Sequence, residues 1–149
     1  MSQPPAQLVD ELKAIRRWSQ RASPGKTPEV DTVNVVVGDG VNVLAAGVAA
    51  AVRVDFRARI TGCFIQEFDG TSGSVSIDIQ RAQGGNAPSF ASITPATKPG
   101  ISSGRYFSDL VVTGWTTDIN RGDYLRYSIV SATSIKRINI GLRIRRLEP

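Results

Sequence analysis

The fold is decided by residues 138–145, which read Ile-Asn-Ile-Gly-Leu-Arg-Ile-Arg. Aliphatic side chains occupy every second position, and the positions between them are polar, charged or glycine. Because successive side chains of a β-strand point to opposite faces, this pattern predicts a strand with one buried and one solvated face. Arg143 and Arg145 are therefore expected to point outward.

The same period of two recurs in several segments upstream, and a more apolar run at 60–68 is predicted to be a central strand. Short strands separated by turn residues, with no second helical pattern, indicate an antiparallel sandwich or barrel. The alternating segments are residues 33–37, 52–56, 74–80 and 125–129.

The sequence predicts the structure of three segments that connect strands. Residues 69–73, Asp-Gly-Thr-Ser-Gly, are predicted to join two strands as a hairpin. Residues 120–123 are predicted to form a tight turn in which Gly122 takes a positive φ and Asp123 bonds nearby backbone. Residues 82–104 are long and rich in glycine and proline, so we expect short edge strands there and a candidate binding loop.

Residues 6–21 carry the only helical pattern. One face is apolar, the other is polar, and a Ser-Pro-Gly-Lys-Thr-Pro tether follows at 23–28. The apolar stripe needs a partner, which is either the chain's own domain, other copies of the chain or a groove on another protein. We therefore divide the chain into a helix and tether over 1–29 and a β domain over 30–149. The stripe consists of Leu8, Leu12, Ile15 and Trp18.

Composition excludes most enzyme designs. The chain has no histidine and one cysteine, Cys63, which removes histidine relays and internal disulfides. Cys63 lies in an apolar run and is expected to be a buried small hydrophobe. The aspartates are scattered over different strands and turns, so no carboxylate pair is indicated. We predict no catalysis, no metal and no cofactor.

The net charge of +5 is concentrated at the two ends of the chain. Residues 1–30 hold five basic against three acidic side chains, and residues 136–149 hold five against one. Basic ends suit docking on an acidic surface, whereas a nucleic-acid binder more often carries a basic stripe across its body. No apolar run is long enough to span a membrane, so no membrane insertion is expected.

The second half of the sequence resembles the small jelly-roll domains of tailed-bacteriophage virions, over about residues 50–146. The resemblance is carried by a Gly-Ser-Val-Ser-Ile-Asp-Ile strand at 73–79, a Gly-Trp strand at 114–119, a Gly-Asp turn at 122–123 and the strand at 138–143. It implies an antiparallel jelly-roll sandwich, commonly assembled as a homotrimer, and a place in the virion after assembly in the bacterial cytoplasm.

Two functions follow from that resemblance. The first is a structural accessory protein, of capsid-decoration or fibre type, that docks on other virion proteins through its N-terminal stripe and Arg143, Arg145 and Arg146. The alternative is a tail-fibre or receptor-binding module for host-surface glycan, for which the candidate ligand-facing residues are Tyr106, Phe107 and Trp115. Each of these aromatic residues could instead cover an open end of the sandwich.

Overall fold

A computed structural model describes residues 30–147, which form two antiparallel sheets packed face to face and contain no helix in that range. Accordingly, these residues include no helix that could cross a membrane. The strands are β1 Val30–Val37, β2 Gly47–Val54, β3 Ala58–Glu67, β4 Gly73–Gln83, β5 Ala91–Ser92, β6 Gly100–Gly104, β7 Tyr106–Asp109, β8 Asp118–Ile119, β9 Asp123–Thr133 and β10 Ile138–Arg146.

Each sheet contains five of these strands. Sheet A has the order β1-β10-β3-β7, and β8 also pairs with β3. Sheet B has the order β2-β9-β4-β5, and β6 also pairs with β4. The predicted all-β sandwich is confirmed. The predicted helix at 6–21, with Leu8, Leu12, Ile15 and Trp18, lies outside the described residues, as does the proposed segment 1–29 as a whole.

The core lies between the sheets and follows the period of two. Along β10, Ile138, Ile140, Leu142 and Ile144 are fully buried, while Arg143 and Arg145 are exposed, as predicted. The register places Ile140 between Val35 of β1 and Ile65 of β3, so one layer of the core runs across sheet A. The alternation predicted for 75–79 and 125–129 is confirmed in the same way by the buried residues of β4 and β9.

The prediction of a hairpin at 69–73 is wrong. The strands that this segment connects, β3 and β4, belong to opposite sheets and do not pair. The chain does reverse here, with Gly70 at a φ of 87°, but it crosses from sheet A to sheet B. The physical reason is that β3 pairs with β10 on one side and with β7 and β8 on the other, which leaves no edge for β4.

The other predictions about central and connecting segments are confirmed. Strand β3, which contains Cys63, is central in sheet A, and the cysteine is fully buried. The segment 82–104 contains the short strands β5 and β6 at the edge of sheet B. In the turn at 120–123, Gly122 has a φ of 88° and Oδ2 of Asp123 accepts the N–H of Asn120 at 2.8 Å.

Candidate functional site

Three arginines, Arg59, Arg143 and Arg145, lie near each other on the outer face of sheet A and are called the arginine row below. Strand pairing places Arg145 opposite Arg59 of β3 and opposite Val30 of β1. Arg143 follows on the same face, beside Gly62. Arg59 donates to Oδ1 of Asp118 at 3.1 Å, but neither Arg143 nor Arg145 forms an ion pair with any residue in 30–147. The row therefore displays two positive charges that the described domain does not neutralise.

Apolar side chains continue this face beyond the arginines, and two glycines make room for them. A Cβ added at Gly141 would lie 2.3 Å from Cζ of Phe64, so the ring lies against bare backbone. A Cβ added at Gly62 would lie 3.0 Å from Cδ2 of Leu110. Tyr106, which is 58% exposed and pairs with Gln66, lies further along the same face, so these side chains form a partly exposed apolar patch that meets Arg143 at Leu110.

The turn after β7 exposes two apolar side chains to solvent, those of Leu110 and Val111. Oδ1 of Asp109 accepts the N–H groups of Val111 at 2.9 Å and Val112 at 3.0 Å. Val112 is buried and adopts a φ of 51°, which is unfavourable for a β-branched residue. The turn leaves Leu110 and Val111 exposed at 60% and 75%, so strained backbone and exposed apolar surface coincide here.

On the outer face of sheet B, the charged residue Asp78 is surrounded by hydrogen-bond donors. Asp78 accepts hydrogen bonds from the hydroxyls of Ser92 at 2.5 Å and Thr94 at 3.2 Å, and from Nζ of Lys98 at 3.4 Å. Burial raises the pKa of Asp78, but the bonds from Ser92 and Lys98 outweigh it and hold the pKa below its ordinary value. Asp78 on this face therefore has a charged partner in Lys98, whereas Arg143 and Arg145 on sheet A have none within 30–147.

Arg146 was predicted to belong with the two docking arginines, and the structure places it elsewhere. Its guanidinium lies 4.0 Å from the centre of the Phe56 ring, and Nη2 donates to Oδ2 of Asp31 at 3.3 Å. These contacts tie the end of β10 to β1 and to the segment after β2. Of the three predicted docking arginines, Arg143 and Arg145 are therefore the two that lie on the outer face without an ion-pair partner within 30–147.

The three aromatic residues predicted to face a ligand do not form one surface. Tyr106 and Phe107 alternate along β7, so Tyr106 points outward and the partly buried Phe107 packs against the core. Trp115 is also partly buried and packs against the core, and its backbone N–H donates to the carbonyl of Val112 at 3.2 Å. Of the three, Tyr106 alone contributes to the patch on sheet A.

Sequence reasoning missed the role of Glu67, whose side chain is fully buried at the end of β3. Burial raises its pKa, but bonds from Arg105 and from the N–H groups of Asp69 and Thr71 outweigh this and lower the pKa below its ordinary value. The signal in the sequence is a glutamate at an inward-facing strand position. Burial also raises the pKa of the Cys63 thiol to about 12, so this cysteine is not an activated nucleophile.

No group of three or more cysteine or acidic side chains within 30–147 is placed to hold a metal ion. Comparison of the whole chain with protein-family models and with curated proteins finds no match.

Proposed function

We propose that the protein is a structural subunit of a tailed-bacteriophage virion, an accessory protein of capsid-decoration or fibre type that docks on the particle surface. The observation that carries this proposal is the outer face of sheet A, where Arg143 and the exposed Leu110 both lie next to Gly62 and where Phe64 and Tyr106 continue the same face. Arginine and aromatic residues are enriched in protein interfaces. Exposed apolar residues that are contiguous on a protein surface often mark an interaction site.

The strand order supports a jelly roll as the finer description of the sandwich. Counting β5 with β6 and β7 with β8 gives eight strand positions, four in each sheet. Most strands that follow each other in sequence, such as β1 and β2 or β9 and β10, lie in opposite sheets, whereas β4 pairs with β5 and β6 in sheet B. Double-sheet jelly rolls of eight strands have this organisation, and it agrees with the resemblance to phage virion domains.

The partner surface is inferred to be acidic protein. Arg143 and Arg145 carry two charges without partners within 30–147, and residues 1–29 add two more on balance, five basic against three acidic. Residues 1–29 join the domain at Val30, which is paired with Arg145 at the arginine row. The chain therefore enters the described domain next to Arg145, and in this proposal residues 1–29 and the outer face of sheet A dock on the same particle.

The proposal is tested on purified particles of a phage that encodes this chain. Particles banded in a density gradient are labelled with a gold-conjugated antibody against the chain and imaged by electron microscopy. Label on the head, neck or tail surface supports an accessory role, whereas label confined to the distal tip supports the alternative, a receptor-binding module. Absence of the chain from banded particles would overturn both.

The homotrimer is part of the same proposal and has its own measurement. Multi-angle light scattering on the purified full chain should give about three times 16.0 kDa. A monomer at micromolar concentration would contradict the trimer, and the docking proposal would then rest on single copies.

A further inference from the structure

Positive charge also gathers at the end of sheet B where β2 and β4 finish and β9 begins. Two arginines, Arg53 near the end of β2 and Arg121 in the turn before β9, line a cleft of about 320 Å³ there. Gly84 and Gly85, in the loop that follows β4, line the same cleft. Its volume is at the lower end of the range of about 300–1,000 Å³ that is typical of small-molecule sites.

Strand pairing and one turn bring these residues together from three parts of the chain. Tyr124 of β9 also lines the cleft, and it pairs with Arg53 of β2 on one side and with Ala82 of β4 on the other. The Gly122 N–H donates to the carbonyl oxygen of Val54 at 2.7 Å, which ties the turn to the end of β2. The cleft is therefore built on paired strands and a bonded turn.

Glycines keep the backbone of the cleft accessible. A Cβ added at Gly84 would lie 3.0 Å from the carbonyl oxygen of Gly122 and 3.3 Å from Cε2 of Tyr124. A Cβ added at Gly122 would lie 3.9 Å from Nη2 of Arg53, so this end of the guanidinium lies beside the turn. A Cβ added at Gly85 would meet nothing within 4 Å, and the N–H groups of the two loop glycines donate to no acceptor within 30–147.

The balance of charges around the cleft favours an anion. Arg121 is exposed and forms neither an ion pair nor a side-chain hydrogen bond within 30–147. Nε of Arg53 lies 2.7 Å from Oδ1 of Asp55, but Asp55 does not line the cleft and both side chains are more than half exposed. Next to the cleft, Arg81 and Asp123 compensate each other at 3.8 Å. An anion therefore meets one arginine without an acidic partner and a second that shares only part of its charge.

The kinds of donor favour phosphate among the anions. Guanidinium groups bind phosphate through paired N–H bonds, and the backbone N–H groups of a turn form a second common cradle for it. In this cleft the donors come from three segments, which are β2, the turn at 120–123 and the loop at 84–85. A tetrahedral phosphate presents oxygens toward all three, whereas a planar carboxylate has two oxygens in one plane.

We propose that the cleft between Arg53, Arg121 and the loop at 84–85 binds the phosphate group of a small molecule. The two guanidinium groups donate to phosphate oxygens, and the loop N–H groups donate to an oxygen that the arginines leave free. The inference does not depend on the docking role, since it uses no residue of the outer face of sheet A.

The test titrates the full chain with inorganic phosphate and with glycerol phosphate at constant ionic strength, followed by amide NMR. At about pH 7.5 a phosphate monoester is close to a dianion. The amide signals of Gly84, Gly85 and Arg121 should shift in a saturable way, with a Kd of about 1 mM or tighter for at least one of the two compounds. Tighter binding of glycerol phosphate would identify a phosphate ester as the ligand, and tighter binding of inorganic phosphate would identify the free ion. The proposal is overturned if these signals do not saturate or if acetate binds as tightly.

Two variants that each remove one positive charge then locate the site. Arg121→Gln should keep the parent melting temperature, because the side chain is exposed and unpaired within 30–147. It should weaken phosphate binding about tenfold or more, the loss typical of a hydrogen bond to a charged group. Lys136→Gln, in the connection between β9 and β10 at the opposite end of the sandwich, is the control and should bind as the parent does. Equal losses would show a response to net charge alone, and unchanged affinity in Arg121→Gln would place the anion elsewhere; either result would overturn the assignment.

Discussion

Nε of Arg105 lies 2.8 Å from Oε2 of Glu67, and this pair joins two places where the chain passes between the sheets. Glu67 ends β3 and accepts the N–H of Asp69 at 2.5 Å and of Thr71 at 2.9 Å, within the crossing to β4. Arg105 lies between β6 of sheet B and β7 of sheet A. A single buried carboxylate therefore stabilises both crossings, which makes it a structural centre of this end of the sandwich.

Replacing Glu67 by glutamine should destabilise the domain by about 2 kcal/mol. The amide keeps the size of the side chain but removes the charge, and its NH₂ group faces a donor that the carboxylate satisfied. Breaking a fully buried pair costs about 3–5 kcal/mol, and the smaller loss is expected here because Arg105 is 45% exposed, so water can solvate its guanidinium. Urea unfolding followed by circular dichroism measures the change.

The matched control for that variant is Asp55→Asn. Asp55 lies 2.7 Å from Nε of Arg53, but both side chains are more than half exposed, so the free energy of unfolding should not change measurably. A loss in Asp55→Asn as large as that in Glu67→Gln would contradict the special role of the buried carboxylate.

Acid should destabilise the domain through Glu67 and Asp78. Both have pKa values below their ordinary values of 4.5 and 3.8 in the folded state. A lowered folded pKa gives stability that is fully present above the unfolded pKa and is lost as pH falls through the folded pKa. The free energy of unfolding should therefore be flat from about pH 8 to 5 and fall below about pH 4.5.

Glu67→Gln separates the contributions to that fall. The variant lacks the titrating group at position 67, so its free energy of unfolding should decline less steeply below about pH 4.5 than that of the parent. Parallel curves for parent and variant, measured by urea unfolding at pH 7, 4 and 3, would show that Glu67 is not the group lost in acid.

Two glycines in the same short strand should respond differently to alanine. A Cβ at Gly100 would lie 2.2 Å from the backbone carbonyl oxygen of Val75, which cannot move without disturbing β4. A Cβ at Gly104 would meet atoms only at 3.9 Å and beyond. Gly100→Ala should lower the free energy of unfolding by about 1–3 kcal/mol, and Gly104→Ala should change it by less than about 0.5 kcal/mol. Equal effects in urea unfolding would contradict the packing of β6 on β4.

The sequence predicts the strands well because a period of two is local. The buried positions of β4, β9 and β10 and the outward direction of Arg143 follow from it directly. Strand pairing, in contrast, depends on residues that are far apart in sequence. A five-residue turn with glycine is compatible both with a hairpin and with a crossing between sheets. The sequence therefore predicts a hairpin at 69–73, although the segment crosses from sheet A to sheet B.

The same limit applies to the candidate site. Phe64 and Leu110 are far apart in sequence, and they share a face only because β3 pairs with β7 and because Gly62 and Gly141 leave space. The alternation of apolar and polar residues predicts neither the pairing of β3 with β7 nor the space above the two glycines. Arg146 follows the two outward arginines in the sequence, yet Phe56 and Asp31 engage it, and both lie in other parts of the chain.

Arginine substitutions should separate docking from folding. Exchanging Arg143 and Arg145 together for serine should weaken attachment to particles and leave the melting temperature unchanged, because both side chains are exposed and unpaired within 30–147. Attachment of the parent should also weaken from 0.05 to 0.5 M salt, as the Debye length shrinks from about 14 to about 4 Å. Arg146→Ser should instead cost about 1 kcal/mol of stability through its lost contact with Phe56. Undiminished attachment of the double variant, measured by mass spectrometry of banded particles, would remove these arginines from the interface.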